Sequence, residues 1–396
     1  MPSASTYCYL GITLTLSGSL SKTMEELRKK GLRAYFALKS LVDINELSTS
    51  SIIKLFDALI LPVVSYGCPI WTHNTTFTKE FISGRSETQP TECLKRIATD
   101  PIEKLHLKFL KWNLGLHKKA SNIFCWGDTG RCPLVQKISK QAVDFFERLS
   151  SLSISKADCL ARHAFDEQKK LKLPWHTNML SLINLHQQSA SDSNIRIGTG
   201  TSVRDMLQSK FHTVWKSAAL KSSKLMFYTS VKSEVSFEQY LTIRNRDVKR
   251  SLARLRSSSH SLNIETARYK ESSTTAARDR SCNSKVYPNK DWNSSCKLCC
   301  DQEVELLQQL PFAEKPIFED ERHILASCPA YHHLRLQLND HIKSTLVAWD
   351  ERITSLFEEP SMTEFGLYVH KIFKERFPKR KTRTAQSSTT GSGPIG

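Results

Sequence analysis

Acidic residues are scarce in this chain, and long apolar runs are missing. Against 57 Lys and Arg stand 39 Asp and Glu, which leaves a net charge of +18 over 396 residues. Such a balance bears on partners rather than on fold: nucleic acids are the first expected counterpart, acidic membrane surfaces the second. No apolar stretch approaches the ~20 residues that a membrane helix requires. Leu59 to Val64 is short and is cut by Pro62. The first residues, Met1-Pro2-Ser3-Ala4-Ser5, lack the basic-then-apolar pattern of a secretory signal. The eleven cysteines are odd in number and scattered outside 296–300. Without an export signal they read as reduced thiols plus a metal site in an intracellular protein, cytoplasmic or nuclear, and not as a disulfide framework. Strand pattern is nearly absent after residue 20, no segment repeats, and no two aspartates are adjacent. What remains is a mainly helical chain, long enough for two or three domains.

The alternation of aromatic and β-branched residues from Tyr7 to Leu16 predicts a strand or hairpin ended by Ser17-Gly18. From Lys22 the period becomes helical, with Leu27, Gly31, Tyr35, Leu38 and Val42 on one face. A second helix is expected from Ser48 as N-cap, burying Ile52, Phe56, Leu59, Val63 and Tyr66, with a kink at Pro62. These elements make a first unit, 1–73. Residues 74–99 are polar and patternless and read as a linker or long loop. Asp100-Pro101 fits a helix start, and Leu105, Phe109, Trp112 and Leu116 form an apolar stripe beside Lys104, Lys108 and Lys111. A further helix begins at Cys132-Pro133-Leu134 and runs to about Leu149, within a helical unit 100–235. Trp112 and Trp126 are expected in the core.

Residues 236–350 carry the chemistry. Between Arg244 and Arg256 lie six basic residues (Arg244, Arg246, Lys249, Arg250, Arg254, Arg256) and one acid, Asp247. Together with Lys108 and Lys111 they are the expected contacts to RNA or DNA phosphates. Cys296-x-x-Cys299 and His323-x4-Cys328 supply four soft or borderline donors of the kind a tetrahedral zinc takes. The 23 residues between Cys299 and His323 form a long but closable loop. Cys300 and Cys282 remain alternative thiolates. His260 and Glu265 read as structural, with His260 bonded to a turn and Glu265 paired with Arg256 or Arg268, since no nucleophile or second carboxylate accompanies them. After Pro329, the positions Leu334, Leu338, Ile342 and Leu346 give a helix one apolar face. The last unit, 351–396, holds a helix and a basic, compositionally disordered tail.

Four blocks, in order, resemble the C-terminal half of a non-LTR (LINE-type) retrotransposon reverse transcriptase. They are Tyr9-Leu10-Gly11-Ile12; Leu55-Phe56-x6-Pro62-x3-Tyr66-Gly67-x3-Trp71; Lys108-Phe109-Leu110-Lys111-x2-Leu114-Gly115 with Gly130-Arg131-Cys132-Pro133-Leu134; and Arg256 to Tyr269 with the Cys/Cys/His/Cys set. The resemblance implies a palm-closing strand and thumb-like helices in 1–73, a connector in 100–235, and a zinc-knuckle module in 236–350. It implies engagement of a template–primer duplex, RNA or target DNA. The Asp-Asp pair with which the family's palm holds two divalent metals has no counterpart here: the first aspartate is Asp43. The expectation is therefore a non-catalytic, zinc-dependent nucleic-acid-binding chain. The rival expectations are a zinc-stabilised protein-interaction module and an accessory part working in trans with a separately encoded palm.

Overall fold

A computed structural model describes residues 5–43, 46–152, 159–189, 199–260, 262, 296, 319–349 and 351–376. Among the described residues the fold is mainly helical, with one small hairpin, as the hydrophobic periods predict. Strands β1 (Thr6–Tyr9) and β2 (Ile12–Thr15) pair antiparallel, with Tyr9 opposite Ile12. Leu10 and Gly11 between them both have positive φ, the geometry of a tight two-residue hairpin turn. The Tyr66 hydroxyl donates to the Leu10 carbonyl at 2.8 Å and pins that turn to the helices.

Helix α1 (Ser21–Leu41) buries Leu27, Gly31, Tyr35 and Leu38, the face its sequence foretells. A Cβ on Gly31 would lie 2.4 Å from Val64 Cγ1 and 2.6 Å from Leu105 Cδ2, so only glycine lets α1 pass this close. Ser48 caps α2 (Thr49–Leu59), its hydroxyl accepting from the Ser51 amide at 3.0 Å. Pro62 does more than kink this helix. It ends α2 at Leu59, and a new turn, α3 (Leu61–Val64), carries the proline in its first turn, where no amide is needed. The break turns the buried face. Leu59 and Tyr66 are exposed and Val63 is partly so, while Ile60, Val64, Cys68 and Trp71 enter the core. The last two belong to α4 (Cys68–Trp71).

The stretch 74–99 is not a linker. It forms α5 (Thr76–Ile82), α6 (Arg85–Thr88) and α7 (Pro90–Ile97), and it buries Phe77, Phe81, Cys93, Leu94 and Ile97. Helices this short leave too few apolar positions to show a period. Their polar residues act as fasteners instead: Glu80 is buried and takes a two-pronged bond from Arg96 at 2.8 Å. Asp100 precedes α8 (Pro101–Asn113) as expected, yet its carboxylate caps α5, accepting from the Thr76 and Phe77 amides. Beyond lie α9 (Asn122–Asp128), α10 (Leu134–Ser151), α11 (Cys159–Lys170), α12 (Pro174–Ser189), α13 (Thr199–Leu220) and α14 (Met226–Val231). The pair α10 and α13 forms the central packing, with α4 and α7 against it.

Helix α15 (Arg246–Arg256) lies against the last helix, and between them in sequence come α16 (His332–Arg335) and α17 (Asp340–Ala348), then α18 (Met362–Arg376). Leu334, Leu338, Ile342 and Leu346 are all buried, but not on the single helix their spacing predicts: Asn339 caps a new helix through the Ile342 amide, and Leu338 lies in the turn between α16 and α17. Apolar side chains from Ile12 to Phe373 belong to one contiguous core. No single helix among the described residues is long and apolar enough to cross a membrane. The tail from 377 onward lies outside the described residues.

Candidate metal centre and basic surfaces

Cys296, His323 and Cys328 come together in the interior. Their donor atoms all lie within 4.8 Å of one another, and the two sulfurs are 4.0 Å apart. That separation is about twice a disulfide bond, so the pair is not bridged. Three soft or borderline donors at this spacing could hold a metal ion. Cys299, the expected fourth ligand, and the alternatives Cys282 and Cys300 lie outside the described residues.

The local sequence explains the placement. His323 opens a π-helical turn, His323–Ser327, whose wider backbone brings the Cys328 amide to the His323 carbonyl at 2.7 Å. Asp320 caps it, accepting from the His323 amide at 2.7 Å, and burial raises that carboxyl above its ordinary range. The Ser327 hydroxyl stands 3.4 Å from His323 Nδ1, a partner that orients the ring. From the far side Tyr368 on α18 donates to the Leu325 carbonyl at 2.6 Å, and Arg335 donates to the Cys328 carbonyl. Arg376 holds the fully buried Glu319 by two bonds of 2.7 and 3.2 Å. The His–Cys loop is thus clamped by α18.

His260 supports the same loop, and its Nδ1 accepts from the Leu262 amide at 3.4 Å. Its Nε2 meets Glu321 Oε1 at 2.9 Å, and Ser258 donates to the same oxygen at 3.0 Å. Burial pushes the Glu321 carboxyl up, but the bonds and charge of His260 outweigh it and hold the carboxyl below its usual range. Glu265 and Arg268 lie outside the described residues.

Compared with protein-family models, with curated proteins and with solved structures, the chain matches none.

The basic residues of α15 do not form one stripe. Arg256, expected to touch phosphate, is fully buried, and so is most of Lys249. Arg256 makes two 3.0 Å bonds to Asp128 and a third of 3.0 Å to Glu238, and its guanidinium lies 4.7 Å from the Phe357 ring centre. Lys249 donates to Thr49 Oγ1 at 2.9 Å, and burial lowers its pKa. The reason is packing from several elements: the last helix lies along α15, Thr49 at the start of α2 takes Lys249, and Asp128, Glu238 and Phe357 enclose Arg256. Arg250 is partly buried and donates to the Gly115 carbonyl at 2.8 Å; Arg246 and Arg254 are also partly buried. Arg244 is exposed. On α8, Lys108 is exposed and Lys111 half-buried. Trp126 lies wholly in the core, while Trp112 is only partly covered.

Sequence reasoning missed Asp128 and Glu238, the carboxylates that take Arg256. Their signal was weak, because the partners are 128 and 18 residues away along the chain. It also missed Lys39 and Lys118, which meet Lys104, Lys108 and Lys111 around one groove. Only the last three share a helical face that spacing reveals.

Proposed function

We propose that this chain is a zinc-stapled, nucleic-acid-binding region: the thumb, connector and knuckle of a LINE-type reverse transcriptase. The observation that carries the reading is the meeting of Cys296, His323 and Cys328 at the end of a strongly basic helical chain. A tetrahedral zinc with sulfur at ~2.3 Å separates its thiolates by about 3.8 Å, close to the 4.0 Å between Cys296 and Cys328. Cys299 is the fourth ligand in this reading. Two contacts join the blocks on which the resemblance rests. The Tyr66 block grips the Tyr9-Leu10-Gly11 turn, and Arg131 of the connector block binds Asp57, beside Leu55-Phe56, through bonds of 3.0 and 2.7 Å. Zinc is structural here: bound, it joins the two halves of the module and supplies folding energy, while the chain's own residues meet the polyanion.

Filter binding of labelled RNA and DNA across a salt series tests the reading. Affinity is expected to fall steeply as salt rises, with a slope of about −0.9 per phosphate contact on duplex and about −0.7 on single strands. Flat or absent binding would favour the protein-interaction module instead. A second reading, an accessory part that docks on a separately encoded palm, is favoured by one feature: Tyr7, Tyr9, Leu10 and Leu16 on the hairpin are all more than half exposed. Primer extension with and without a palm-containing partner separates it.

A further inference from the structure

An open groove of about 590 Å³ lies between α1 and α8, within the size range of clefts that take small ligands. Five lysines line it, Lys39, Lys104, Lys108, Lys111 and Lys118, and among the described residues no carboxylate does. Three of them sit at i, i+4 and i+7 on α8 and so share one face. The other two arrive from the end of α1 and from the loop after α8. Beneath the lysines, Tyr35 and Trp112 meet edge to face with ring centres 5.8 Å apart. Trp112 keeps part of its surface open to the groove.

Five ammonium groups gathered with no acid among the described lining residues attract an anion. Lys108 Nζ lies 4.8 Å from the Phe36 ring centre and 5.7 Å from that of Tyr35, which offsets only part of one charge. Lys111 is half-buried and its Nζ donates to the Lys118 carbonyl at 2.9 Å; burial lowers its pKa, Cys125 raises it, and Lys224, outside the groove, lowers it. Lys104 feels Glu25, but that carboxylate is held by Arg28 at 2.5 and 2.9 Å and does not line the groove. Lysine ammoniums are point charges suited to phosphate oxygens, and an aromatic face between them suits a base. A duplex presents its bases only along its grooves and is far too wide to enter this one. A single strand can lay its backbone along the lysine rim and turn a base inward.

Resting on the nucleic-acid reading above, we infer that this groove seats a segment of single-stranded nucleic acid, with phosphates on the five lysines and an unstacked base on Trp112. Fluorescence anisotropy with a labelled single strand, and with its duplex, tests this on the full chain and on the variants K104E/K108E and R244E. The double variant is expected to bind the single strand at least about tenfold more weakly, and its salt slope to flatten by about 1.4, roughly 0.7 per lost contact. R244E, an exposed residue outside the groove, is expected to weaken single strand and duplex alike and so to keep the preference for the single strand. Circular dichroism and melting establish that the variants fold. On the unaltered chain, photo-crosslinking with a thiouracil-bearing strand is expected to label the peptide that contains Trp112.

Single-strand binding by K104E/K108E within twofold of the parent would overturn the groove assignment. So would a crosslink confined to other segments, or a duplex bound as tightly as the single strand. If the parent binds well and only R244E fails, the nucleic-acid reading stands and this inference falls. If the parent binds no nucleic acid, both fall.

Discussion

Arg256 shows how far a single side chain can depart from its place in a sequence. Five basic neighbours mark it as a surface residue, yet it is enclosed by Asp128, Glu238, Tyr240 and Phe357, and its Nη1 has no hydrogen-bond partner among the described residues. A buried charge that loses its counter-ion is costly, so Asp128→Ala is expected to lower the unfolding free energy by ~3–5 kcal/mol. Replacing Asp128 and Arg256 together by apolar residues should cost much less, and urea melts of the three variants measure the difference. His106 offers a second test. It is wholly buried, its Nδ1 is 2.8 Å from Glu103, and its Nε2 accepts from Arg131 Nε at 3.1 Å. That acceptor role requires the neutral ring, in accord with burial depressing its pKa from 6.5 against the pull of Glu103. The unfolded chain takes up a proton at His106 as pH falls through about 6.5, and the folded chain does not until lower pH. The stability due to the neutral ring is therefore complete above pH 6.5 and erodes below it, down to the depressed folded value. His106→Gln should remove that part of the pH dependence of Tm.

Elements pack here through glycines as much as through large side chains. Gly31 lets α1 close on α3 and α8, and Gly366 lets α18 close on α15, where an added Cβ would stand 2.7 Å from Val248 Cγ1 and 3.0 Å from Leu252 Cδ1. Gly366→Val is expected to destabilise by ~1–3 kcal/mol, the usual cost of overpacking. Because α18 also braces the Cys328 loop through Tyr368, the same variant should weaken metal retention, read as zinc per chain after dialysis. Long helices such as α1 and α10 were legible from their periods. Helices α5 to α7 were not, since one or two turns carry too few residues to establish a repeat, and a buried Glu80 in α5 or Ser86 in α6 reads as loop composition. Pro62 was legible as a disturbance, but not the rotation of the buried face that follows from it.

Across the whole molecule, the proposed zinc and the core would act on different parts. Stripping zinc with a chelator is expected to abolish amide protection in 319–335 and reduce it in α18, while α10 and α13 keep theirs, as hydrogen exchange would measure. Cys296→Ser should reproduce that pattern without chelator and leave less than one zinc per chain. The sequence by itself determined the helical class, the hairpin at the start, the basic balance and the donor types of the Cys296–His323–Cys328 cluster. All of these rest on composition or on residues close in the chain, where spacing maps directly onto geometry. Tertiary structure alone decided which basic groups face water. Burial depends on what packs over a helix from afar, so Lys249 and Arg256 went inward while Lys39 and Lys118, 79 residues apart, met Lys108 at one groove.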